Sequence, residues 1–334
     1  MKTASVTAGA HAGQPQPAGR RPWGYWLLAA FAAIFLLLPL FEIERSTQSL
    51  LCLAVIFGIC VMSLDYIYGY GGMMSFGHAA LFGFGAYIAG FTLLYLSTEI
   101  VVGLLLAALA TALLATLWGA LLGRLEGVAF AMGTLALASC VRIIAIQWRA
   151  VTGGTDGLVA LPLAEFFGYA LRSDAIYYLS VGIACVIFVV LRAVVRTRYG
   201  LALQAVRDNP IRAEAAGIHV YAHRIAAMAI SGAVAGTAGA LFVYLQGAVD
   251  PSALGWQQSG HFMIQLLMGG AGTLVGPLLA AIVMTFLQHW LSAVTTHWEL
   301  ILGIGVVLFV YFTPRGIVPG IVALAAWYRR RRAQ

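Results

Sequence analysis

The chain has 334 residues, of which 62% are hydrophobic and only 9% charged, with a formal net charge of +7. Soluble domains carry roughly 25% charged residues, so a water-soluble globule is excluded and lipid must solvate much of the chain. The positive balance does not call for nucleic acid, because the arginines fall between apolar runs, where they set membrane orientation.

Residues 1–22 are rich in Ala, Gly, Pro and Gln and read as a disordered arm. An apolar run, 23–41, follows Arg20 and Arg21. It ends on Phe41-Glu42-Ile43-Glu44 rather than on a small-residue cleavage site, and reads as a retained signal anchor. Further apolar runs cover 48–69, 73–96, 100–122, 126–147, 174–195, 224–247, 259–270, 274–294 and 299–312. The run 259–270 is short, and merging it with the next would leave nine spans. With ten spans and the N-terminus inside, 15 of the 19 basic residues lie on the cytoplasmic side. With nine, the tail Arg329–Arg332 falls outside, so the positive-inside rule selects about ten. Cys52, Cys60, Cys140 and Cys185 lie inside apolar runs without metal-ligand spacing and read as small core residues.

Asp65 stands near the inner end of its run. It is a candidate ion or proton site or a partner for a basic residue, but its position close to a turn favours contact with interfacial water. Next comes 69–90 (GYGGMMSFGHAALFGFGAYIAG), where Gly69, Gly71 and Gly72 break the helix and Met74, Ser75, Gly77 and His78 open a new span. A helix start within a bundle presents free N–H groups and a positive dipole, which makes these four residues candidates for the substrate path. For His78 the preferred alternative is an imidazole bonded to a neighbouring helix carbonyl. The turn 69–72 has a counterpart, Gly269-Gly270-Ala271-Gly272, which hints at an internal repeat.

Residues 148–173 form the longest outer loop, with an apolar piece, 166–171, too short to span. Within it, 151–158 (VTGGTDGL) is either an anion-binding nest or a flexible turn for an extracytoplasmic partner. Glycines four apart, as in Gly232/Gly236 and Gly272/Gly276, suit close helix approach in lipid.

The most polar interior stretch is 199–218 (YGLALQAVRDNPIRAEAAGI). Arg207-Asp208-Asn209-Pro210 reads as a turn, Pro210 suits the first turn of a helix over 211–216, and Gly217 ends it. Such a helix is either a lever for a soluble partner or part of a solvated linker. The chain carries no GxxxxGK[ST] loop, HExxH or CxxC, so it is not expected to hydrolyse ATP itself. Nor does it carry carboxylates paired through its spans, as ion-driven carriers often do.

Five segments in order, 69–87, 151–158, 205–218 (AVRDNPIRAEAAGI), 268–277 (MGGAGTLVGP) and 313–320 (TPRGIVPG), together resemble the inner-membrane permeases of branched-chain amino acid ABC transporters. The long apolar N-terminus and VTGGTDGL are closer to the second permease of the pair. The resemblance implies an all-α integral membrane protein with about ten transmembrane helices in the type II-like importer fold. Its permease domain would be 23–326, with a coupling loop at 199–223 and a basic cytoplasmic tail at 327–334. It further implies a bacterial inner-membrane assembly of two permeases, two ATPases and a periplasmic binding protein, with both termini cytoplasmic. Substrate would cross between the permeases, and Arg207, Asp208, Asn209, Arg212, Glu214 and Gly217 would meet the ATPase. No catalytic residue, metal or cofactor is implied for this chain, since ATP is used by partner subunits. Met73-Met74 and Asp65 depart from the family pattern. Permeases for urea and short-chain amides share the framework. A secondary carrier using Asp65 and His78, and a non-transporting assembly subunit, are the readings from other classes.

Overall fold

A computed structural model describes residues 44–166, 168–313, 316 and 317. The expected arm 1–22, the span 23–41 and the tail 327–334 lie outside the described residues.

The remaining apolar runs are all helical. They form α1 (Arg45–Asp65, prolonged by a π-helical turn, Tyr66–Tyr70), α2 (His78–Phe91, with a π-turn, Thr92–Leu96), α3 (Ile100–Leu122) and α4 (Gly127–Gln147). After the outer loop come α5 (Ser173–Arg196), α6 (Arg198–Asp208), α7 (Pro210–Ala215) and α8 (Val220–Gln246). A 3₁₀ turn (Pro251–Leu254), α9 (Trp256–Gly269), α10 (Val275–Val294) and α11 (Trp298–Phe312) complete the order. Among the described residues seven helices are long and apolar enough to cross a membrane, whereas α9 and α11 are shorter. Gly270 and Leu274, both with positive φ, separate α9 from α10, so the two runs do not merge.

The centre of the bundle is α1, enclosed by α5, α8, α9 and α10. Four rings, Phe57, Phe82, Phe242 and Phe262, lock α1, α2, α8 and α9 together with centroids 5.4 to 6.3 Å apart, mostly edge to face. Against α2 and α3, α8 presents glycines. A Cβ on Gly239 would strike the Phe82 carbonyl, one on Gly236 would strike Thr111 and the Ala107 carbonyl, and one on Gly85 of α2 would strike the Gly236 backbone. In lipid such contact is made by van der Waals packing of small residues. Gly239→Val should therefore force α8 off α2 and sharply lower the yield of folded protein in fluorescence-detected gel filtration. Retention of the parental peak would count against this packing role. On the far side of α3, Leu105, Leu109, Leu113, Leu117 and Leu121 are each more than half exposed at four-residue spacing, a lipid-type face.

Several expectations are corrected. The 73–96 span starts only at His78, because Gly72 takes φ +71° and residues 72–77 are non-helical. The 199–218 stretch is not one loop with a short helix but two helices, α6 and α7, hinged at Asn209. Thr197 caps α6 by accepting the Gly200 N–H. Of the apolar piece 166–171, Phe166, Tyr169 and Ala170 belong to a small hairpin, Glu165–Phe166 with Tyr169–Ala170. Cys140 is exposed rather than in the core, while Cys52 and Cys60 are buried and Cys185 is intermediate.

Candidate functional site

Two apolar spans are interrupted inside the bundle, and their broken ends meet. In the first, 72–77 climbs from the π-turn of α1 to the start of α2. Its backbone is satisfied by side chains: Thr134 Oγ1 accepts the Phe76 N–H at 3.1 Å and Ser75 Oγ the Gly77 N–H at 3.3 Å. At Gly77 there is no room for a Cβ beside Trp118 and the Thr134 carbonyl. In the second, α8 ends at Gly247 and residues 248–255 return into the bundle beside α2, with Leu254 packed against Gly83. Asp250 Oδ1 accepts the Ser252 N–H at 2.6 Å and so opens the 3₁₀ turn. The two interrupted elements join where Ser259 of α9 accepts the Ala79 N–H of α2 at 3.1 Å. Non-helical backbone is tolerated at membrane depth only where protein buries it or it lines a cavity. Broken helices of this kind hold solute sites in transporters.

The proposed path residues sit at this junction. Ser75 and His78 are fully buried, and Met74 is partly buried against the core. His78 Nε2 lies 2.6 Å from Ser63 Oγ, so its partner is a hydroxyl and not the helix carbonyl expected. Ser63 Oγ also donates to the Cys60 carbonyl at 2.6 Å, which uses its one proton. On that assignment Nε2 carries the imidazole hydrogen, and Nδ1 is a bare acceptor, which agrees with its having no partner.

Asp65 is likewise corrected: it is buried and does not reach interfacial water. Its Oδ1 accepts the Gly272 N–H at 2.6 Å and its Oδ2 the Leu274 N–H at 2.8 Å. The carboxylate thus holds the turn before α10, where Gly272 (φ +80°) and Leu274 (φ +59°) are left-handed. The glycine turns 69–72 and 269–272, noted as a sequence echo, are in contact. Tyr70 Oη donates to the Gly272 carbonyl at 2.7 Å, and a Cβ on Gly69 would overlap the Gly272 backbone.

At the same end of the bundle, Arg207 Nη1 donates to the Gly69 carbonyl at 2.6 Å, while Nε and Nη2 hold Asp208 Oδ1 at 2.9 and 2.7 Å. Gly69 lies in the last turn of the helical segment, where carbonyls have no intrahelical partner. Asn209 Oδ1 accepts the Arg212 N–H at 2.9 Å, with Pro210 at the first position of α7 and Gly217 (φ +83°) closing it. Ile211 (79% exposed), Arg212 and Glu214 project outward, while Ala213 is buried. Thus Arg207 faces inward and α7 faces outward, joined through Asn209. Tyr199 anchors the other end of α6, stacked on His223 at 5.3 Å.

Sequence reasoning missed Ser63, Thr134 and Ser259, whose roles depend on remote partners; helical Ser and Thr carry no local signal. At the far end, VTGGTDGL packs on the segment that follows α8: Leu158 pairs with Val249, and Gly153, Gly154 and Gly157 adopt positive φ.

These features define an all-α, multi-pass integral membrane permease. Residues 46–311 match the family model described as branched-chain amino acid transport system / permease component. The chain belongs to that family. It is 25% identical over 303 residues to the high-affinity branched-chain amino acid transport system permease protein LivM of Escherichia coli, covering 84% of this chain and 71% of that protein. LivM of Salmonella typhimurium matches with the same identity and coverage. A shorter match, 32% over 88 residues, links 26% of the chain to 27% of the nucleoside ABC transporter permease protein NupC of Lactococcus lactis. No solved structure matches the chain.

Proposed function

We propose that the chain is a membrane-spanning permease subunit of an ATP-driven importer for branched-chain amino acids in a bacterial inner membrane. It forms the translocation path with a second permease, receives solute from a periplasmic binding protein and is driven by two cytoplasmic ATPases. Both termini lie in the cytoplasm, and this subunit needs no cofactor or metal of its own. Support for coupling through 205–218 comes from one observation: the segment that presents an exposed helix also fastens, through Arg207, to the Gly69 carbonyl at a span break. Movement of α7 by an ATPase would pass through Asn209 and Arg207 to Gly69, and from there to the Gly272 turn. Asp208, Arg212, Glu214 and Gly217 supply the contact and shape of that lever, while Met74, Ser75, Gly77 and His78 lie where its motion would open the path. Carrier chemistry at Asp65 is disfavoured because both carboxylate oxygens are taken by backbone N–H groups.

Reconstitution of the chain with a second permease, the two ATPases and the binding protein tests this reading. Uptake of labelled leucine, isoleucine and valine should require ATP. Deleting 207–216 should abolish uptake while leaving membrane insertion intact, and normal uptake by the deletion would sink the coupling assignment. Uptake by the chain alone under a proton or sodium gradient would favour the carrier, and preference for urea or an amide would reassign the solute.

A further inference from the structure

At the proposed coupling segment lies a cavity of about 160 Å³ whose lining includes none of Met74, Ser75, Gly77 and His78. This is below the roughly 300–1,000 Å³ of drug-sized sites and suits one small metabolite. One wall is apolar, made by Met73, Leu125, Phe130 and Val206. The other is charged and contains Glu126 and Arg224, paired at 2.8 Å. Arg224 is about nine-tenths buried and also donates to the carbonyls of Gly123 and Leu125, yet its Nε has no partner. Glu126 is far more exposed, with 59% of its side chain open. It stands at the N-cap of α4 without capping it, so the first N–H groups of that 21-residue helix receive no side-chain oxygen. The remaining cation of the cavity, Arg207, is already engaged by Gly69 and Asp208.

The geometry points to a binding site for a zwitterionic amino acid with an aliphatic side chain, separate from the transport path. Its α-carboxylate takes Arg224 and the uncapped start of α4, where a positive helix end favours an anion. Its α-ammonium takes Glu126, which swings from Arg224 to the ligand, and its side chain fills the apolar wall. The ligand class follows from the importer reading above, and on that orientation the cavity opens to the cytoplasm. It would therefore sense imported product beside the segment that couples to the ATPases. A purely anionic metabolite would take Arg224 and leave Glu126 without a counterpart, and a neutral one would leave the Arg224–Glu126 pair as it stands, whereas a zwitterion engages both.

Equilibrium binding of L-leucine to the full chain in lipid nanodiscs tests this, with 4-methylpentanoate as the same skeleton lacking the ammonium. Wild type should prefer leucine by about tenfold or more, the size of one charge-assisted hydrogen bond. Glu126→Gln should erase that preference by weakening leucine alone. Equal affinity for the two ligands in wild type, leucine binding unchanged in Glu126→Gln, or no leucine binding would each overturn the site. Uptake of leucine by the reconstituted wild-type complex separates the two claims. Uptake without Glu126-dependent binding removes this site and keeps the importer, whereas Glu126-dependent binding without uptake keeps the site and removes the importer's substrate.

Discussion

Arg207→Ala should lower ATP-driven uptake by about tenfold to a hundredfold without lowering the amount of protein inserted. The side chain makes a charge-assisted hydrogen bond to the Gly69 carbonyl at 2.6 Å, and such bonds contribute roughly 1.5–3 kcal/mol. The loss acts on the link between α6 and the π-turn of α1 and not on the core, since α6 keeps its Thr197 cap and its buried Leu203 and Val206. Uptake and ATP hydrolysis measured on the same proteoliposomes check it: hydrolysis should persist while uptake falls. Parallel loss of both would mean that the ATPase no longer docks. Unchanged uptake would remove Arg207 from the coupling route. Arg207→Lys should recover only part of the loss, because an ammonium cannot hold Gly69 and Asp208 together with a planar fork.

Asp65→Ala should be the most destabilising single change at the site. It leaves the N–H groups of Gly272 and Leu274 without acceptors inside the bundle, at about 1–3 kcal/mol each. Leu274, a non-glycine residue at φ +59°, then loses the contact that holds it there. A marked fall in the thermal midpoint of the detergent-purified protein is expected, with a smaller fall for Asp65→Asn, whose amide retains one acceptor oxygen. If Asp65→Ala melted like the parent but failed to transport, the carboxylate would belong to a solute or ion path instead of to the turn.

The two changes mark where sequence reading succeeded and where it stopped. The hinge at Asn209 was legible because its causes are adjacent: Asn before Pro disfavours helix at that residue, Pro210 suits a helix start, and Gly217 tolerates positive φ. The upstream helix α6 reads as polar loop in the sequence, since only three of its residues, Gly200, Leu203 and Val206, are buried and its periodic apolar signal is weak. Asp65 was noticed as a charge in an apolar run but placed at the water interface. Its acceptor role needs backbone N–H groups more than 200 residues away. The break at 248–255 was hidden as well, because the apolar run closes before it and α9 is short for a span.

By itself the sequence determined that this is a lipid-solvated helical protein with a polar interior stretch at 199–218. Composition, run length and Gly/Pro placement are local quantities, and the solvent they demand follows from them directly. Only the tertiary structure decided which interruptions matter. It set the glycine turn at 69–72 against that at 269–272, pinned both with Asp65 and Tyr70, and fastened α6 to them through Arg207. Each of those hydrogen bonds joins a side chain to a remote backbone group, which every residue carries alike, so no pattern along the chain could announce the partner.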